Sequence, residues 1–267
     1  MIPRFNTKQE RLDWLMANKD SVIAIKQAKV KEADAVSYVY YDEVEKVNKP
    51  VTEDVDAVKV KAVINTTNLM DSHDDVHIPG LWSKSLKENR AIMHLQEHQL
   101  SFDKIIADGE DLKAYTQSFT WKDLGQGFDG VTEALVFESK VTKDRNEFMF
   151  DQYRKARVKN HSVGMRYVKL VMAVDSDEDY WKDEKKNWDK YIDQVANRKD
   201  AEAQGYFFAV TEAKVIEGSA VPLGSNWATP TLDNNLKEPP EGTPKEPQIS
   251  TLETEEVINR IKNFKFY

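Results

Sequence analysis

Val58-Lys59-Val60-Lys61-Ala62-Val63-Ile64 is the stretch that decides the fold class of this chain. It is rich in β-branched residues, and lysine alternates with valine through its first half, the period-two pattern of a strand with one buried face. Outward from it, Val36-Ser37-Tyr38-Val39-Tyr40-Tyr41 reads the same way, and further strands are expected at Leu112 to Phe119, Val131 to Val141, Ser162 to Ala173 and Tyr206 to Ile216. Asp108-Gly109 and the segment from Gly125 to Gly130 are turn signals between them. Helical patterns are fewer. Thr7 followed by Glu10 has the form of a capping box, and Leu12, Leu15 and Met16 share a face, so a helix is predicted from Thr7 to about Asn18. Two more are predicted at Trp82 to Asn89 and Asn146 to Lys159, the second with Phe148, Tyr153 and Ala156 as a buried stripe. The expected fold is therefore mixed α+β, mainly β, with interposed helices and no alternating βαβ array.

The domain organisation follows from shifts in composition. Residues 1–35 read as an N-terminal helical extension and 36–234 as the main domain. Within it, residues 175–204 are crowded with charge, yet Trp181, Trp188, Ile192 and Val195 recur at helical spacing. This acidic helical insertion is either a docking arm or lid, or a helix that packs its tryptophans on the strands. Residues 235–249 hold Pro239, Pro240, Pro244 and Pro247 and read as an extended linker. Residues 250–267 have a second capping-box form at Ser250 and Glu253, with Val257, Ile258, Ile261 and Phe264 on one side of a C-terminal amphipathic helix.

Composition narrows the function. The 267 residues are 40% hydrophobic, enough for a sizeable core, and carry a formal net charge of −8. An acidic balance argues against nucleic acid as a partner, since phosphate binding needs a basic face. The chain has no cysteine, which removes disulfides, thiolate catalysis and cysteine-ligated zinc, and fits a reducing cytoplasm. No apolar run resembles a signal segment or a membrane span, so no membrane association is expected.

Two segments could carry chemistry. His94-Leu95-Gln96-Glu97-His98 is formally H-x-x-E-H, in which two histidines on one helical turn bind zinc and the glutamate is general base. That reading needs a helix; as a strand, the segment would put His94, Gln96 and His98 on one face. His73 and His77 repeat the spacing, but Asp71-Ser72-His73-Asp74-Asp75 reads as a turn in a polar loop. The second segment is Asn160-His161-Ser162-Val163-Gly164-Met165, a serine at the start of a strand with a glycine two positions on. A serine hydroxyl is a weak nucleophile and needs a base beside it. His161, its neighbour in the strand, points to the opposite face and reads as structural.

The order of elements resembles the prohead maturation proteases of tailed bacteriophages. Ala62-Val63-Ile64-Asn65-Thr66-Thr67 leads through an aspartate-rich turn to Ile78-Pro79-Gly80-Leu81-Trp82. Ile92 to Gln99 stands for the family's strand ending in histidine, with Gln99 where aspartate is usual. His161-Ser162-Val163-Gly164-Met165 matches its small serine motif, and Val215-Ile216-Glu217-Gly218-Ser219 its strand ending in Glu-x-Ser.

The resemblance implies a closed or partly closed β-barrel ringed by helices, similar to the herpesvirus assembly protease. It also implies a serine endopeptidase in the host cytoplasm, inside the immature capsid. The partners would be the major capsid protein and scaffold, with cleavage of scaffold or of capsid-protein scaffolding segments, and often of the protease itself; the proline-rich linker reads as a plain tether before it reads as a self-cleavage site. Ser162 would be the nucleophile, His98 its base and Glu217 the group orienting the imidazole, with backbone N–H groups near Val163 and Gly164 as oxyanion donors. No cofactor and no metal are expected, and a homo-oligomer such as a dimer is. The alternatives are a zinc metallopeptidase using His94 and His98, and an inactive capsid-assembly scaffold protein.

Overall fold

The computed structural model describes residues 3, 5–28, 55–89 and 91–233. Within them the strands form two sheets. The first has the order β5 (Leu112–Thr120), β6 (Val131–Thr142), β1 (Ala57–Thr66) and β9 (Thr231–Asp233), antiparallel throughout. The second is built on β8 (Tyr206–Val221), which pairs antiparallel along its length with β7 (Asn160–Val174). On the other side of β8 lie β2 (Asp75–His77) and β3 (Met93–Gln96), both parallel to it, and β4 (Ile105–Ala107) pairs with β3. The strands expected at Val58, Leu112, Val131, Ser162 and Tyr206 are all formed; the one expected at Val36 to Tyr41 lies outside the described residues, as do residues 235–249 and 250–267.

Among the described residues the expected barrel is not formed. A barrel requires the two terminal strands of one continuous sheet to pair with each other, and neither sheet here closes on itself. The sheets instead stack through side chains. Ile64 and Phe137 of the first share one apolar core with Val163, Met165, Val215 and Ala220 of the second. Gly218 of β8 marks a close approach of the two sheets, because a Cβ there would lie 2.5 Å from the Phe137 ring and 2.8 Å from Ile64. The fold is mixed α/β with open sheets; the sequence pattern could not separate that from a barrel, because strand residues alternate toward a core in stacked sheets and barrels alike.

The helices differ from expectation at their ends. Helix α1 (Lys8–Ala28) continues well past Asn18. Leu12 and Leu15 bury its first half, and near its end Lys26 reaches Asp75 at 2.5 Å and the His73 carbonyl at 2.9 Å. Helix α2 (Ser83–Glu88) lies within the expected range. Helix α3 (Glu147–Arg154) stops short of Lys159, since Ala156 adopts a left-handed φ of 55°. Its buried face is Met149, Phe150 and Tyr153; Phe148, expected in that stripe, is 60% exposed. His73 and His77 do not share one polar loop: His77 lies in β2 and is buried, with Nε2 3.2 Å from the Tyr167 hydroxyl.

In the acidic insertion, α4 (Lys182–Tyr191) and α5 (Arg198–Gln204) lie between β7 and β8 in sequence. Trp181 and Trp188 are buried, and Trp188 packs against Phe207 of β8 with ring centroids 5.3 Å apart. The insertion is thus a packed layer whose charges face outward. Among the described residues no helix is long and apolar enough to cross a membrane.

Candidate active site on the outer face of the second sheet

A bulge in β8 sets the site. Val163 pairs with Gly218 and Met165 with Val215, so two steps along β7 match three along β8, leaving Ile216 as the extra residue. In an unbroken strand Glu217 would share the core-facing side of Val215, two residues away. The extra residue turns Glu217 outward, while Gly218 takes the inward position against Phe137 and Ile64. Re-aiming a side chain in this way is a common use of bulges.

Ser162, Gly164, Glu217 and Ser219 therefore share the outer face. Ser162 pairs directly with Ser219 and Gly164 with Glu217. The Glu217 carboxylate lies across Gly164, where a Cβ would sit 1.9 Å from Oε1. Only glycine leaves that space.

His98 reaches the same face from β3, the strand on the far side of β8. Leu95 of β3 pairs with Ser219, and the chain then turns sharply, with the Gln99 N–H donating to the Gln96 carbonyl at 3.0 Å. The central residues Glu97 and His98 have φ of 53° and 58°. Positive φ at both central positions defines a type I′ turn, which normally takes glycine or asparagine. Holding glutamate and histidine there costs on the order of 1 kcal/mol each, and such strain clusters at functional sites. The turn folds His98 back over β8, where its backbone N–H donates to Ser219 Oγ at 3.0 Å.

The imidazole lies 2.6 Å from the carboxylate, Nδ1 to Glu217 Oε1. Ser219 Oγ donates to the other oxygen, Oε2, also at 2.6 Å. A carboxylate only accepts, so Nδ1 carries the proton of that bond, and Nε2 is the ring nitrogen on the side away from Glu217. Ser162, 7% exposed, stands one strand spacing away in register with Ser219. Its hydroxyl is not hydrogen bonded to His98 among the described residues; what links the two is Ser219, paired with Ser162 and bonded to the His98 N–H. Such bonds are often long in the absence of substrate. As for oxyanion donors, consecutive N–H groups of a strand point to opposite edges, so only one of Val163 and Gly164 can donate away from β8.

The opposite face holds a second histidine system. His161 Nδ1 donates to the Thr229 carbonyl at 3.0 Å, leaving Nε2 to accept from the Tyr153 hydroxyl, also at 3.0 Å. Tyr153 Oη in turn accepts from His94 Nε2 at 3.1 Å, and His94 Nδ1 accepts from Ser139 at 2.9 Å. The chain assigns both tautomers. Burial holds His94 well below the usual histidine range, with His161 nearby adding to it, and brings His161 down to about 4. Burial likewise pushes the Tyr153 hydroxyl well above its usual range.

His94 and His98 do not share the helical turn that the H-x-x-E-H spacing requires. His94 lies in β3 with both ring nitrogens bonded in the core, while His98 follows in the turn against Glu217. Among the described residues no group of three or more His, Asp or Glu side chains is placed to hold a metal ion. Sequence reading named Ser162, His98 and Glu217 but not the residues packed around them. The signal for Ser219 lay in the Glu-x-Ser spacing, which puts two polar side chains on one strand face; Gly164 offered none beyond its being a glycine inside a strand. Comparison with known proteins gave no matching family model, no similar curated protein and no similar solved structure.

Proposed function

We propose that this protein is a serine endopeptidase in which Ser162 attacks, His98 takes and returns the proton, and Glu217 orients the imidazole. The observation that carries the reading is the 2.6 Å bond from His98 Nδ1 to Glu217, made on the same sheet face as Ser162. A carboxylate that accepts from Nδ1–H fixes the ring orientation and tautomer in which Nε2 serves as general base.

In the acylation step, Nε2 accepts the Ser162 proton as Oγ bonds to the substrate carbonyl carbon, and the carbonyl electrons move to oxygen. Collapse expels the amine, which takes the proton back from His98, and leaves an acyl-serine. Water, deprotonated by the same nitrogen, then releases the acid and restores the hydroxyl. Glu217 stabilises the imidazolium that forms in each half. Positioned proton transfer of this kind contributes about 10²–10⁴-fold.

The ordered resemblance from Ala62 to Ser219 supports a maturation role inside an immature phage capsid, acting on scaffold or capsid-protein scaffolding segments. Co-expression with capsid and scaffold proteins tests it. Cleavage that disappears in Ser162→Ala and survives chelation is the expected result. Intact substrates with the unaltered chain would favour a non-catalytic assembly role, and cleavage lost to chelator a metal enzyme.

A further inference from the structure

We infer that Ser219 is a positioning residue, whose hydroxyl fixes both members of the acid–base pair at once. Its catalytic consequence rests on the serine reading above; its geometry does not. The hydroxyl accepts from the His98 backbone N–H at 3.0 Å and donates to Glu217 Oε2 at 2.6 Å. One oxygen thus ties the strained turn to the carboxylate that the imidazole of the same turn contacts. The three bonds close a ring from His98 N–H through Ser219 and Glu217 back to His98 Nδ1.

Each bond in the ring removes a freedom that the others leave. Glu217 could rotate about its terminal torsion, which is broad and roughly two-fold for a carboxylate. Ser219 holds Oε2, so Oε1 is the oxygen left facing Nδ1. The Glu97–His98 turn runs against the backbone preference of both residues, and the Ser219 acceptor lies where the His98 N–H emerges. Ser219 is wholly buried, so water does not reach in to replace either bond. It also lies directly across from Ser162 in the β7–β8 ladder. Its Cα position is therefore tied to that of the nucleophile by the sheet itself.

The alternative role for a buried strand serine is packing alone, and changes that keep or remove the hydroxyl separate the two. The probe is a fluorophosphonate, whose phosphorus bonds to an activated serine oxygen with loss of fluoride. Its rate of reaction with Ser162 is followed by mass spectrometry on the full chain. The second readout is the downfield proton resonance of the His98 Nδ1–H, which reports the bond to Glu217 whether or not the enzyme turns over.

In Ser219→Ala, labelling should slow about 10²-fold, the cost of misplacing a catalytic group by roughly 1 Å, and the resonance should vanish. Ser219→Thr keeps the hydroxyl and should keep both. Should the alanine variant not fold, Ser219→Cys, similar in size but a weak donor, should show the same losses. Ser219→Ala with labelling and resonance unchanged would overturn the inference, as would equal losses in Ser219→Thr. An unaltered chain that shows the resonance, loses it in Ser219→Ala and keeps it in Ser219→Thr, yet never reacts at Ser162, would leave the positioning role standing and remove the serine mechanism.

Discussion

Replacing Gly164 by alanine probes the site through one methyl group. The added Cβ would lie 1.9 Å from Glu217 Oε1 and 2.7 Å from its Cδ, where ordinary contact begins near 3.4 Å. About 1.5 Å of space must open, and backbone on both sides is held by the β7–β8 ladder. The carboxylate is the part that can move, and a shift of that size breaks the 2.6 Å bond to His98. The expected loss lies between about 10²-fold for a misplaced group and about 10⁴-fold for an orienting carboxylate removed outright. Overpacking should also cost about 1–3 kcal/mol of stability.

The assay is fluorophosphonate labelling of Ser162 per folded molecule, with urea unfolding alongside. Gly218→Ala is the contrast. Its Cβ would strike Phe137 at 2.5 Å on the opposite face, so it should lose stability with a much smaller effect on labelling. Gly164→Ala reacting within roughly threefold of the unaltered rate, too small a change to count as a lost orienting group, would refute the placement of Glu217.

Other perturbations follow from buried charges and rings. His161 titrates near 4 when folded against about 6.5 in an unfolded chain, so between those values the unfolded state binds the extra proton. Stability should hold above pH 6.5 and fall as the pH drops toward 4, by about 3 kcal/mol from this residue alone. Urea unfolding at pH 7 and pH 5 checks the sign, and His161→Asn should flatten the slope; stability that rises on acidification would contradict it. Lys26→Ala strips the ammonium from the wholly buried Asp75 and should cost about 3–5 kcal/mol, read by thermal unfolding; a loss under about 1 kcal/mol would mean the pair is solvated.

Much of the strand pattern was legible because period-two alternation is local, as Val58 to Ile64 shows. That those strands form two open sheets was not, since pairing between sheet edges is a non-local property that leaves no trace in either strand. The end of α1 was hidden for a related reason: Lys26 reads as a surface residue until Asp75 is brought against it. At the site, Ser162, His98 and Glu217 could be named from their order along the chain. The devices that bring them together could not. The Ile216 bulge depends on the register of two strands, and a type I′ turn at Glu97-His98 violates the residue preferences by which such turns are recognised. Gly164 is intelligible only once Glu217 is known to lie across it.

The most direct measurement is the site of covalent attack by a fluorophosphonate on the full chain, mapped by peptide mass spectrometry. The account predicts a single adduct on Ser162, absent in Ser162→Ala and strongly slowed in His98→Ala and Glu217→Gln. A chain that stays unmodified, or that is modified elsewhere with Ser162 untouched, would contradict it.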